Sequence, residues 1–187
     1  MTRIVAGVAG GRRLAVPPRG TRPTSDRVRE ALFSALDADP GLGGTAVLDL
    51  CAGSGALGLE ALSRGAEHAL FVESDRRAAG VLRQNVAALG LPGAVVRAAA
   101  AGAVLAAPAD RGYDVVLVDP PYDLPDTEIA GWLRSAEANG WLSGEAVVVV
   151  ERAARSGAFG WPAPLRAVRE RRYGDTVLHV ARRAASG

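Results

Sequence analysis

Five short apolar runs punctuate the middle of the chain, at residues 46–50, 69–72, 94–97, 115–118 and 146–150. Four of them are apolar at successive positions rather than alternate ones, the pattern of strands covered on both faces. Between the runs, apolar residues recur at helical spacing over 56–64, 75–89 and 126–139, with a weaker segment at 102–107. Alternation of this kind predicts an α/β fold built on a doubly wound parallel sheet.

Both ends break the rhythm. Residues 3–6 and 12–16 flank Gly10-Gly11 and predict a β-hairpin. An arginine- and proline-rich loop, 19–23, leads to a helix that Thr24 or Ser25 can cap and that runs through Leu36, with Pro40-Gly41 closing it. Near the other end, 165–173 and 176–181 flank Gly174-Asp175 and predict a second hairpin. The expected organisation is an extension over 1–23 and a main domain over 24–187.

The first parallel strand runs into Asp49-Leu50-Cys51-Ala52-Gly53-Ser54-Gly55-Ala56-Leu57-Gly58. Glycines at 53, 55 and 58 have the G-x-G-x-x-G spacing that lets backbone approach a ligand before a helix. Glu73 ends the second strand 20 residues after Gly53, where a carboxylate can grip both hydroxyls of a ribose. These features admit a dinucleotide or S-adenosylmethionine. A pyrophosphate at the helix N-terminus would be repelled by Asp49, whereas a cationic amino-acid end suits it, directly or through water. The balance favours the methyl donor.

The fourth run ends in Asp119-Pro120-Pro121-Tyr122. Two prolines fix the backbone and remove two N–H donors, which leaves stiff outward carbonyls. A carboxylate and such a carbonyl can accept both hydrogens of an exocyclic amine while a tyrosine ring stacks on the base.

Charge adds a partner. All 22 basic residues are arginine, and they concentrate at the ends: net charge is +5 over 1–30, −9 over 31–151 and +6 over 152–187. Basic ends on an acidic middle suit a polyanion held by the ends. One cysteine excludes an internal disulfide and suits a reducing compartment, and no apolar run approaches the roughly 20 residues of a membrane helix. A soluble, cytoplasmic monomer is expected. His68 and His179 lack ligand-spaced partners, so no metal is expected. Trp132, Trp141 and Trp161 are read as packing residues, and Glu60, Glu67 and Asp126 as solvated.

The core resembles a class I S-adenosylmethionine-dependent methyltransferase, and Asp119–Tyr122 resembles the [DN]-P-P-[YFW] motif of enzymes that methylate exocyclic amines. Arg3-Ile4-Val5-Ala6-Gly7, Gly11-Arg12-Arg13-Leu14 and above all Arg22-Pro23-Thr24-Ser25-Asp26-Arg27-Val28-Arg29-Glu30-Ala31-Leu32-Phe33 are similar to the bacterial 16S rRNA guanine-N2 methyltransferase family, as is Arg172-Tyr173-Gly174-Asp175-Thr176. The resemblance covers nearly the whole chain. It implies a Rossmann-like parallel sheet ending in an antiparallel hairpin, and methylation of guanine 966 of 16S rRNA, free or within a 30S particle. It also implies that Asp49, Gly53, Gly55 and Glu73, with Cys51, Ala52 and Ser74 beside them, bind the cofactor. Asp119 and Pro120 would orient the amine, Pro121 would stiffen the turn and Tyr122 would stack on the base. Arg3, Arg12, Arg13, Arg19, Arg22, Arg27 and Arg29 would contact RNA. One departure is visible: after the third strand, where such enzymes carry an acid for the adenine amine, Arg97-Ala98-Ala99-Ala100-Ala101 has none. A DNA adenine-N6 methyltransferase is the alternative, opposed by the lack of a target-recognition domain; an RNA chaperone that binds the cofactor without catalysis is opposed by the intact Asp119–Tyr122.

Overall fold

A computed structural model describes residues 2–18 and 24–185. In chain order the elements are β1 (Thr2–Arg3), β2 (Arg13–Leu14), α1 (Asp26–Ala38), β3 (Ala46–Leu50), α2 (Ala56–Ser63), β4 (His68–Glu73) and α3 (Arg76–Leu89). These are followed by β5 (Ala94–Ala98), α4 (Ala101–Leu105), β6 (Tyr113–Val118), α5 (Asp126–Ala138), β7 (Leu142–Ala153), β8 (Leu165–Tyr173) and β9 (Thr176–Arg183). Seven strands form one sheet in the order β5-β4-β3-β6-β7-β9-β8. The first five are parallel; β9 runs antiparallel to both β7 and β8. The expected Rossmann-like sheet with a closing hairpin is therefore present. Among the described residues, no helix is long and apolar enough to cross a membrane.

Alternate residues of each central strand enter two cores. Val47, Phe71, Val115, Leu117, Val147 and Val149 pack on one face with Leu32, Phe33 and Leu36 of α1, Leu59 of α2 and Leu82 of α3. Leu48, Leu50, Leu70, Val116, Val118, Val148 and Val150 pack on the other with Leu105, Ile129, Leu133 and Trp141. This two-sided burial explains the unbroken apolar runs. β5 is the exception because it is the sheet edge, and Val95 there is 44% exposed.

Chain direction reverses at the centre of the sheet. From β3 the chain winds outward through β4 and β5, then crosses back to β6 on the other side of β3. Leu50 is paired with Val118, so the segments leaving these two strand ends are adjacent. A crevice at such a switch point is where ligands bind in open α/β sheets.

Four expectations are corrected by local chemistry. The first hairpin has strands of two residues, shorter than predicted: Ile4 still donates to Arg12 O (2.9 Å) and accepts from Gly11 N–H (2.8 Å), but the backbone groups that follow bond to α2. Val5 and Ala6 N–H donate to Glu60 Oε1 and Oε2 (2.8 and 3.0 Å), and Ala9 N–H donates to Ser63 Oγ (2.9 Å). Glu60 is thus not solvated but completely buried, and its carboxylate also pairs with Arg29 and Arg64. The fifth parallel strand runs past Val150 through Glu151 and Arg152, both buried, because each charged group finds a partner. Arg152 Nε lies 2.8 Å from Asp126 Oδ1, so Asp126 also differs from the solvated residue expected.

Of the tryptophans, Trp141 is buried, stacks on Tyr113 and donates from Nε1 to Ala107 O (2.9 Å). Trp161 packs edge-on against Phe159. Glu67 is exposed, as read.

Candidate active site

A cavity of about 1120 Å³ opens at the carboxyl ends of β3, β4 and β6. Its walls include Cys51 to Ser54 after β3, Glu73 to Asp75 after β4, Ala99 to Gly102 after β5 and Asp119 to Leu124 after β6. The turn after β3 is tight: Gly55 has φ +87°, and a Cβ there would meet Leu82 Cδ1 at 2.4 Å. One turn on, a Cβ on Gly58 would meet the Phe71 ring at 2.3 Å, so only glycine lets α2 lie this close to β4. Cys51 also adopts a left-handed φ of 60°, the only non-glycine residue with positive φ among those described.

Two carboxylates hold this turn. Glu73 accepts from Gly53 N–H through Oε1 (2.8 Å) and from Asp75 N–H through Oε2 (2.7 Å), and it lines the cavity with acceptor capacity to spare on both oxygens. Asp49 lies beneath the turn and off the cavity wall; it is 1% exposed and its Oδ2 accepts from Gly58 N–H (2.9 Å). Asp49 Oδ1 is buried without a hydrogen-bond partner. Burial, opposed by the Gly58 N–H and reinforced by the Glu73 charge, pushes the Asp49 carboxyl up to about 7.

Across the cavity, Asp119 is half-buried, Pro120 is buried, and Pro121 and Tyr122 are exposed, Tyr122 by 43%. Asp119 Oδ2 lies 3.2 Å from Thr24 Oγ1, and the Thr24 hydroxyl also lies 2.7 Å from Glu151 Oε2. Burial first, then the Glu151 charge, raises the Asp119 carboxyl well above the usual carboxylate range. Burial and then the negative charges of Glu73, Asp119 and Asp49 push the Cys51 thiol up to about 12. Cys51 is therefore no nucleophile at neutral pH. It registers a cavity whose floor is negative, fit for a cation and hostile to a phosphate.

The chain matches the family described as conserved hypothetical protein 95 over residues 2–182. It is 40% identical over 188 residues to "ribosomal RNA small subunit methyltransferase D" of Escherichia coli strain K12, covering 99% of this chain and 91% of that relative. The chain belongs to this methyltransferase family. The relative of the same name in Haemophilus influenzae is 37% identical over 153 residues, covering 80% of this chain and 77% of that one. The solved structure of yhhF from Escherichia coli superposes with a TM-score of 0.87 at 36% identity, over 98% of each chain.

In this methyltransferase the expected cofactor residues Cys51, Ala52, Gly53, Glu73 and Ser74 share one wall, with Asp119 to Tyr122 facing them. Gly55 caps α2 behind that wall. Ala99, Ala100 and Ala101 line the cavity where an acid was missing, beside Trp132, whose ring packs over Gly102. Trp132 thus combines packing with a place on the cavity wall.

The arginines divide. Arg3, Arg12, Arg13 and Arg27 are exposed; Arg3 pairs with Asp26, and Arg12 donates to Ala88 O (2.8 Å). Arg19 and Arg22 lie outside the described residues. Arg29 corrects the sequence reading: it is completely buried, and its guanidinium is held by Asp26 and Glu60 instead of standing on the surface for a phosphate backbone. Arg166, Arg169, Arg171 and Arg172 stand exposed along the edge strand β8. Thr24 and Glu151 carried no signal of this kind in the sequence, since Thr24 reads equally well as a helix cap and Glu151 as the polar end of a strand.

Proposed function

We propose that this protein transfers a methyl group from S-adenosylmethionine to the exocyclic N2 amine of guanine 966 in 16S rRNA. The observation that carries the reading is the adjacency of the glycine turn after β3 and the Asp119-Pro120-Pro121-Tyr122 segment after β6, in one cavity with an acidic floor. The names of the relatives supply rRNA of the small subunit, and the arginine-rich first 33 residues supply the resemblance to the guanine-N2 enzymes. Residues 1–23 act as the RNA-contacting extension and 24–187 as the catalytic domain, working as a cytoplasmic monomer on rRNA within a 30S subunit or its precursor. The exposed arginines of the extension and of β8 hold the RNA backbone, so affinity falls steeply with salt.

The residues fit the cofactor. Asp49 Oδ1 is a buried acceptor without a partner, the nearby charges favour a cation, and Glu73 keeps lone pairs for ribose hydroxyls. S-adenosylmethionine, when bound, supplies a methyl group on a cationic sulfonium. Backbone of residues 99–102 and the Trp132 ring form the wall for the adenine. Asp119 Oδ1 and the Pro120 carbonyl accept the two N2 hydrogens, which localises a lone pair otherwise delocalised into the guanine ring. Fixed acceptors then aim that lone pair, so orientation and preorganised electrostatics carry the rate. Tyr122 stacks on the base once it has left its helix or loop.

Tritiated-methyl transfer onto undermethylated 16S rRNA, 30S particles and duplex DNA, followed by nucleoside analysis, tests the assignment. N2-methylguanine from the ribosomal substrates is expected; label in N6-methyladenine, or none, overturns it.

Asp49 makes cofactor binding pH-dependent. Its folded value, about 7 against an ordinary 3.8, means that the ionised form is disfavoured in the free protein and gained as pH rises through 7. A cationic ligand prefers that ionised form. S-adenosylmethionine affinity measured by calorimetry should therefore fall by up to about tenfold per pH unit below neutrality and level off above it. Asp49→Asn should bind weakly with a flat profile.

A further inference from the structure

Behind Asp119 lies a group that the reaction described above leaves without a task. Glu151 is 6% exposed near the end of β7, and its carboxylate accepts from the Thr24 hydroxyl (2.7 Å). That hydroxyl reaches Asp119 Oδ2 as well. Three oxygens in a row, at 2.7 and 3.2 Å, share one hydroxyl proton, and a hydroxyl makes only one strong donor bond. A second proton, on one carboxyl or the other, completes the chain.

Other charges nearby do not relieve the pair. Asp49 of β3 adds a further negative charge on Asp119. From α1, the Arg29 guanidinium is already held by Asp26 and Glu60. Arg152, the next residue on β7, pairs with Asp126. A buried and a half-buried carboxyl without a cation of their own are best satisfied by sharing one proton.

We propose that Glu151 and Thr24 are positioning residues for the methyl transfer, sharing one proton with Asp119 and so setting the pH at which Asp119 presents an ionised carboxylate to the guanine amine. When the proton sits on Glu151, its hydroxyl donates to Thr24 Oγ1, and Thr24 donates to Asp119 Oδ2. The other Asp119 oxygen is then a full acceptor facing the cavity. When the proton sits on Asp119, the same three atoms reverse direction and the remaining acceptor oxygen loses its charge. The N2 lone pair forms the new N–C bond, the S–C electron pair leaves with sulfur, and the proton then shed by N2 passes to Asp119. This rests on the guanine-N2 reading given above. The raised carboxyls of both Asp119 and Glu151, each driven first by burial, accord with the shared proton.

The test pairs kinetics with a direct titration. Glu151→Gln removes the repelling charge and supplies a permanent donor toward Thr24. The acid limb of its kcat/KM profile should move to lower pH by about one unit or more. Thr24→Val breaks the chain and should move the limb upward with a fall in kcat, while Thr24→Ser restores the wild-type profile. In protein without cofactor or RNA, carbon-13 NMR of labelled carboxyls should show the Asp119 titration moving down in Glu151→Gln by the same interval. Coincident acid limbs and an unmoved Asp119 titration in Glu151→Gln would overturn the proposal. If that variant does not fold, the Thr24→Val and Thr24→Ser pair decides by the same criterion. Failure of the wild-type protein to methylate guanine N2 is a separate result that sinks the reaction assignment, while the NMR titration still reports on the proton.

Discussion

Asp119→Ala should lower kcat for transfer onto undermethylated 30S particles by about 10³-fold or more, with the S-adenosylmethionine dissociation constant changed by no more than about threefold. Asp119 closes the end of β6, across the cavity from the glycine turn and Glu73, so its removal leaves the cofactor wall intact. What disappears is the acceptor that localises and aims the N2 lone pair. Asp119→Asn separates acceptor from base. Its amide oxygen still accepts an N–H, so it should retain much more activity than Ala. Single-turnover rates on a common 30S preparation check the ranking; equal rates for Ala and wild type would refute the assigned role.

The second large effect concerns folding. Glu60→Ala should cost about 3–5 kcal/mol of stability, because it strands buried positive charge. Arg29 and Glu60 are fully buried and Arg64 nearly so, and the same carboxylate accepts Val5 and Ala6 N–H. The extension therefore loses its fastening together with the core. Urea unfolding monitored by circular dichroism measures the loss, and limited proteolysis should cut the variant first between residues 4 and 13. Glu60→Gln keeps the shape and one acceptor, and it should lie between Ala and wild type. A variant as stable as wild type would mean that the two arginines find other partners.

Glu60 also shows where sequence reading stops short. The helix 56–63 reads Ala-Leu-Gly-Leu-Glu-Ala-Leu-Ser, with one charged residue and no polar face. A helix apolar all round is buried, and that alone places its acid inside, although nothing local names the partners. The central strands and α2, α3 and α5 were legible because two-sided burial and capping leave periodic marks. The reach of β7 through Glu151 and Arg152 was not, since buried charge reads as the end of a strand. Thr24 and Ser25 were interchangeable as caps on paper. In the structure Ser25 Oγ accepts from Val28 N–H, which frees the Thr24 hydroxyl for the two carboxyls. Arg29 was misread for a similar reason, because an arginine between exposed neighbours on a helix looks like surface until the partner 31 residues away is known.

Asn85 of α3 links the two ends of the machine. Its Oδ1 accepts from Ala15 N–H, and its Nδ2 donates to Ala15 O and to Ser54 O, each at 2.8 or 2.9 Å. One amide therefore grips the segment just after β2 and the glycine turn proposed to hold the cofactor. The amide is a physical link through which ordering on one side would reach the other. By thermodynamic reciprocity the help is mutual: if RNA on the extension steadies the turn and tightens the cofactor, the cofactor tightens RNA by the same factor. The order in which the two partners arrive is then a matter of concentration rather than of design.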